Sequence, residues 1–72
     1  MSYPFEDALT FMKRGDKVCR SGWNGKGLSA RIADGTVGSV SVRMFVLESP
    51  SGLNSWVPSS SDLLATDWEI SQ

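Results

Sequence analysis

The chain has 72 residues, a formal net charge of −1 and no histidine, and its single cysteine is Cys19. This length predicts one domain, 1–72, and a chain of this size buries only ~60% of the surface that its unfolded form exposes, so we expect support from a dimer or larger homo-oligomer. The composition excludes an intrachain disulfide and argues against a zinc site, and the near-neutral charge argues against a long nucleic acid as partner.

The first predicted element is a helix over residues 4–14. Acidic residues in its first turn and basic residues in its last turn suit the helix dipole, and Gly15 is a typical residue for ending a helix. The apolar stripe at helical spacing consists of Phe5, Ala8, Leu9 and Met12.

Two features of the chain favour a cytosolic location. Glu6 and Asp7 stand where a signal peptide carries basic and then apolar residues. No run of about 18 apolar residues is present, so we expect no membrane span and no membrane partner.

Several antiparallel strands are predicted after the helix, two of them, 28–33 and 40–48, from period-two alternation. These strands cover 17–20, 28–33, 40–48, 53–57 and 68–70. Asp34-Gly35 predicts the turn between the second and third strands, with the alternative that Thr36–Ser39 belongs to a longer loop. The segment 40–48 has apolar residues on both faces, which indicates a central strand or an interface on its second face.

A short second helix is predicted from Ser59 or Ser60 to about Ala65. The spacing Ser59-x-x-Asp62 resembles a capping box with aspartate in place of glutamate. We expect Trp68 and the pair Leu63-Leu64 to lie in the core. The predicted fold is α+β: an N-terminal helix packed on a small antiparallel sheet, a short C-terminal helix and a final short strand.

The residues argue against an enzyme. Without histidine, the usual general base near neutral pH is missing. We expect Cys19 to be buried and inert, because no orienting base is evident. Of Asp62 and Asp67, we expect one to cap a helix and the other to begin a turn. No cofactor and no metal are predicted.

The segment Trp23-Asn24-Gly25-Lys26-Gly27 is the first candidate ligand site. If this segment binds a ligand, the Trp23 ring would stack on a base, Asn24 would hydrogen-bond a polar edge of the base and Lys26 would bind a phosphate. Gly25 and Gly27 would let backbone N–H groups come close to the ligand. The alternative is a tight turn with Trp23 in the core and Lys26 in solvent. The residues alone leave both interpretations open, since the loop is no known phosphate fingerprint.

The second candidate region begins at Trp56. We expect Trp56 to pack in the core or at an interface and also to form a pocket wall. In so short a chain, the core, the interface and the pocket must share residues. Ser59 to Ser61 precede a helix N-terminus, which is either a plain cap or an anion site made by free backbone N–H groups and the helix dipole. Three arginines are scattered over strands, and one of them could reach a ligand: Arg20, Arg31 and Arg43.

The two ends of the chain resemble a known family. The pattern is Phe-Glu-x-Ala-Leu-x-x-Met-Lys-x-Gly, then Lys-Val-x-Arg-x-Gly-Trp-Asn-Gly-Lys-Gly, then Trp-x-x-Ser-x-x-Asp-Leu-Leu-Ala-x-Asp-Trp. It is similar to the second type of phage Thoeris anti-defence sponge, a family that also includes proteins reported as anti-CRISPRs. The middle, 31–42, looks shorter than in many relatives, which affects a loop that helps to line a pocket.

The resemblance implies a non-enzymatic oligomer, a dimer or a tetramer built from dimers, with ligand pockets between protomers. Such proteins act in the cytoplasm of the infected bacterial host and sequester cyclic nucleotide signals, including a glycosidically cyclised ADP-ribose and, in some members, cyclic oligonucleotides. The ligand-binding residues expected here are Trp23, Asn24, Gly25, Lys26, Gly27, Trp56, Ser59 and Asp62. The alternative is a protein–protein inhibitor of a CRISPR nuclease.

Overall fold

The computed structural model describes residues 2–23 and 27–71. It contains two helices, a 3-10 turn and five strands within that part of the chain. In chain order these are α1 (Phe5–Lys13), β1 (Lys17–Arg20), the 3-10 turn (Ser21–Trp23), β2 (Ser29–Val37), β3 (Val40–Ser49), β4 (Gly52–Ser55), α2 (Ser60–Leu64) and β5 (Trp68–Ser71). The predicted α+β class, with its N-terminal helix and final strand, is confirmed.

Helix α1 ends as its sequence predicts. Gly15 has a φ of +98° and donates its N–H to the carbonyl of Met12, while the N–H of Asp16 reaches back to the carbonyl of Phe11. These two bonds form a Schellman motif, which needs a left-handed residue at the position of Gly15. The chain can therefore turn at once into β1.

The five strands form one antiparallel sheet in the order β4-β3-β2-β1-β5. The long pair β2 and β3 is in continuous register from Ser29 opposite Glu48 to Val37 opposite Val40. The last strand, β5, returns to pair with β1, so the two ends of the chain meet at one edge.

The predicted turn at Asp34-Gly35 is wrong. Both residues lie within β2, and the hairpin turns at Gly38 and Ser39, with a φ of +63° at Gly38. A glycine in the first central position suits a two-residue II′ turn. A Cβ at Gly35 would lie 2.7 Å from the Cε of Met44, which is the flexible end of that side chain.

The pleat and the register divide the sheet into two faces. The covered face packs under α1, with a buried core of Ala8, Met12, Val18, Ala30 and Trp68. Ile32, Phe45 and Leu47 extend this apolar face along β2 and β3. The opposite surface, which we call the open face, carries Ala33, Val37, Val40, Val42, Met44, Val46 and Leu53.

Two further expectations need correction near the C-terminus. Leu63 and Leu64 are 47% and 81% exposed, so they do not belong to the core. Helix α2 is only five residues long and has no buried residue, so it presents no apolar face to the core. Strand β4 ends at Ser55, two residues before the predicted end, although the N–H of Trp56 still bonds the carbonyl of Phe45 at 3.1 Å.

Candidate ligand-binding site

The three tryptophans form one aromatic cluster. Trp68 is fully buried, and the half-buried Trp23 and Trp56 pack on it with ring centroids 5.4 Å and 5.9 Å away. Trp23 and Trp56 also meet edge to face at 6.0 Å. Such geometry is favourable for aromatic pairs. The structure therefore brings together Trp23 and Trp56, two predicted site residues that are 33 positions apart in the chain.

Ser59 and Asp62 lie beside this cluster and bond each other. The Ser59 hydroxyl accepts from the N–H of Asp62 at 3.3 Å, and the Asp62 carboxylate accepts from the N–H of Ser59 at 3.1 Å. This is the predicted capping box. The carbonyl of Asp62 also accepts the indole N–H of Trp68 at 3.0 Å, which satisfies the polar atom of the buried tryptophan.

Arg20 joins two carboxylates at the same end of the sheet. Its guanidinium donates to Asp67 at 2.9 Å and to Asp62 at 3.0 Å. The pKa of Asp67 is lowered by hydrogen bonds from the Ser21 hydroxyl and from Arg20. Burial alone would raise the pKa of Asp62, but hydrogen bonds from Ser59 and Arg20 outweigh it and lower that pKa. Both aspartates are thus held ionised by structural partners.

The centre of the predicted ligand loop, Asn24, Gly25 and Lys26, lies outside the described residues. The loop returns to the described chain at Gly27, which has a φ of +68°. A Cβ at Gly27 would lie 3.0 Å from the Cγ of Pro50, in the turn after β3. Glycine is needed here both for its backbone conformation and for this close approach.

A groove that the sequence did not single out lies between the C-terminal half of α1 and strands β2 and β3. It encloses about 230 Å³. Its lining residues are Leu9, Lys13, Ile32, Arg43, Met44 and Phe45. Phe45 also touches Trp56, with ring centroids 5.9 Å apart, so the groove adjoins the aromatic cluster. The groove could not be predicted from a sequence motif, because its lining residues come from three separate elements, α1, β2 and β3.

The remaining side chain with potential reactivity is that of Cys19, and its surroundings disfavour reaction. Cys19 was expected to be buried but is only half-buried. Partial burial raises the pKa of its thiol, and the nearby Glu69 adds to this effect, so the thiolate is disfavoured. Over residues 2–23 and 27–71, no three histidine, cysteine or acidic residues lie close enough together to hold a metal ion. Neither described helix is long and apolar enough to cross a membrane.

Comparison with known proteins places the chain among phage proteins. The profile of the Thoeris anti-defense 2-like domain matches residues 3–71, which is nearly the whole sequence. The chain is also 32% identical over 84 residues to the protein named Thoeris anti-defense 2 of Bacillus phage SP01, with 92% of this chain and 91% of the relative covered. The alignment is longer than this chain, so the relative carries residues that this chain lacks.

Both matches extend over almost the entire domain and agree with the resemblance carried by the two ends of the sequence. The chain therefore belongs to the Thoeris anti-defense 2-like family of phage anti-defence proteins.

Proposed function

We propose that the protein is a sponge that binds a cyclic nucleotide immune signal reversibly and without cleaving it, in the cytoplasm of the infected host. The signal would be a cyclic ADP-ribose isomer, such as glycocyclic ADP-ribose, or a related cyclic oligonucleotide. The observation that carries the proposal is the half-buried pair Trp23 and Trp56, whose rings meet at 6.0 Å, and Lys26 follows Trp23 by three positions in the sequence. The face of an aromatic ring can stack on a nucleobase, and a cation can bind a phosphate.

A sponge must bind more tightly than the host effector that it competes with. Nanomolar affinity corresponds to about −12 kcal/mol. Stacking on a tryptophan and a charge-assisted bond to a phosphate both gain strength when water is excluded. The partial burial of Trp23 and Trp56 provides part of that exclusion.

The contacts of the acidic side chains and of Cys19 support binding of the ligand without cleavage. Asp62 and Asp67 are both bonded to Arg20, and each is also bonded to a serine. Partial burial and the nearby Glu69 raise the pKa of Cys19, which disfavours the nucleophilic thiolate. Because these side chains already have structural partners or a disfavoured reactive form, we infer that the protein binds the ligand and does not break its bonds.

Calorimetry against a panel of cyclic ADP-ribose isomers, cyclic dinucleotides and cyclic trinucleotides tests the proposal. The bound ligand is then released by denaturation and identified by mass. We expect tight binding to at least one compound and its recovery intact. Recovery of a broken ligand would contradict the sponge. Absence of heat with every compound, together with inhibition of a purified CRISPR nuclease, would support the protein–protein inhibitor instead.

Two variants locate the site. Lys26→Met keeps most of the side-chain length and removes the charge, and we expect at least a tenfold loss of affinity. Trp23→Ala should weaken binding further, but Trp23 also packs on Trp68, so its unfolding midpoint must be measured alongside. Arg14→Met is the matched control, because it removes the same charge from the exposed end of α1. Equal losses in Lys26→Met and Arg14→Met would contradict the assigned site.

We further propose that a second copy of the chain covers the open face. Four exposed large apolar side chains share this face, with exposures between 37% and 67%: Val37, Val40, Met44 and Leu53. An apolar patch shared by three adjacent strands is typical of an interface. Glu48 accepts from Lys17 at 2.9 Å and from Arg31 at 2.6 Å at its margin, so the patch has a polar rim.

Light scattering on Leu53→Asp tests this association. Leu53 points to the open face, and a carboxylate there would be buried without a partner in a dimer. We expect the mass to fall to that of one chain. Asn54→Asp is the control, because it adds the same charge at the next position of β4, on the other face. A monomeric wild type, or an equal effect of both variants, would contradict the proposed interface.

A further inference from the structure

The groove combines an apolar floor with cations on two facing elements. Ile32 and Phe45 form the floor and Leu9 forms a wall from α1. Lys13 reaches the groove from the last turn of α1, and Arg43 reaches it from β3. Two positive groups at the rim of an apolar cleft attract an anion that also has an apolar part.

Neither cation is strongly engaged within the described chain. The ion pair of Arg43 with Asp34 is long, at 3.8 Å, and both side chains are largely exposed, at 61% and 87%. Such a pair is worth ~0–1 kcal/mol and is easily replaced by a better anion. Lys13 has no ion pair among residues 2–23 and 27–71.

A structural role explains only part of this arrangement. Lys13 is favourable at the C-terminal end of α1 whether or not a ligand binds. That effect does not account for Arg43, which comes from another element and converges on the same cleft. The other exposed cation at this end of the helix, Arg14, is paired with Asp16 at 2.9 Å and lies over the ring of Phe11.

The size of the groove limits its occupant. Its volume of about 230 Å³ lies below the ~300–1,000 Å³ of pockets that enclose a drug-sized ligand. It therefore suits one ring and one phosphate, and leaves the rest of a larger molecule outside.

We propose that this groove is a separate binding site for a phosphate-bearing small molecule of mononucleotide size. Lys13 and Arg43 bind the phosphate, and the planar ring lies on Ile32 and Phe45. The inference does not rest on the sponge function, because the groove uses neither Trp23 nor Lys26.

Titration of isotope-labelled protein with AMP, followed by NMR, tests the site directly. We expect saturable shifts at Leu9, Ile32 and Phe45, and no saturable shifts there with adenosine, which lacks the phosphate. Lys13→Met and Arg43→Met should each weaken AMP binding about tenfold, since each removes one charge-assisted bond. Both side chains are exposed, so the fold should be retained.

Two matched variants complete the design. Arg14→Met removes a charge one residue from Lys13 but outside the groove, and AMP affinity should stay within about twofold of wild type. Lys26→Met should leave the groove shifts unchanged even if it abolishes binding of the cyclic signal. The proposal is overturned if millimolar AMP leaves the groove residues unshifted, or if Arg14→Met weakens binding as much as Arg43→Met.

Discussion

The two faces of the sheet have similar apolar content but different surroundings. On the covered face, Val18, Ala30 and Trp68 are fully buried under α1 and its neighbours. On the open face, Val37 and Val40 remain 67% and 61% exposed. The same strands supply both faces, because successive side chains of a strand point in opposite directions. Folding of one chain therefore accounts for the first face, and association with a second copy is our proposal for the other.

The largest expected effect comes from Trp68→Ala on the covered face. Trp68 packs on Phe5, Trp23 and Trp56, and its truncation leaves a cavity among them. We expect a loss of about 3–5 kcal/mol in the free energy of unfolding, measured by urea denaturation. Val57→Ala is the control, because Val57 is 88% exposed, and its effect should stay below about 0.5 kcal/mol. Similar losses in the two variants would contradict the assigned core.

A smaller effect is expected from Arg20→Met at the edge of the covered face. This change leaves Asp62 and Asp67 without their shared cation. The side chain of Arg20 is 26% exposed, so we expect about 1–2 kcal/mol, more than a surface ion pair and less than a buried one. Urea denaturation at pH 7 measures this change.

The pH dependence of stability gives an independent test of the same contact. Both aspartates have a pKa below their ordinary value of 3.8, so they stabilise the fold above about pH 4 and lose this contribution as the pH falls through their folded values. The wild type should lose more stability than Arg20→Met between pH 5 and pH 3. Parallel acid profiles would show that the lowered pKa values come from Ser21 and Ser59 alone.

The smallest effect is expected from Gly35→Ala on the open face. The new methyl would meet the terminal Cε of Met44, which can rotate away, and removing a glycine reduces the entropy of the unfolded chain. These effects oppose each other, so we expect a net change within about 0.5 kcal/mol. The methyl resonance of Met44 should shift clearly. A loss above about 1 kcal/mol would show that Met44 is fixed, as in a tightly packed interior.

Local patterns were sufficient for the two helices and their ends. The apolar stripe of α1, the glycine at position 15 and the capping box of Ser59 and Asp62 depend on near neighbours in the chain, and all three are confirmed. The turn at Asp34-Gly35 was predicted wrongly because two turn dipeptides occur close together. Pairing across the sheet selected Gly38-Ser39, which keeps Val37 opposite Val40.

The sequence by itself determined the α+β class, the ends of the helices and the family, because these depend on short-range spacing and on motifs at the two ends of the chain. Only the tertiary structure brought Trp23, Trp56 and Trp68 together, joined Arg20 to two distant aspartates, and placed Lys13 and Arg43 along one groove. It also placed Leu63 and Leu64 in solvent. These arrangements depend on which strands are neighbours and which face α1 covers, and contacts across the sheet decide both.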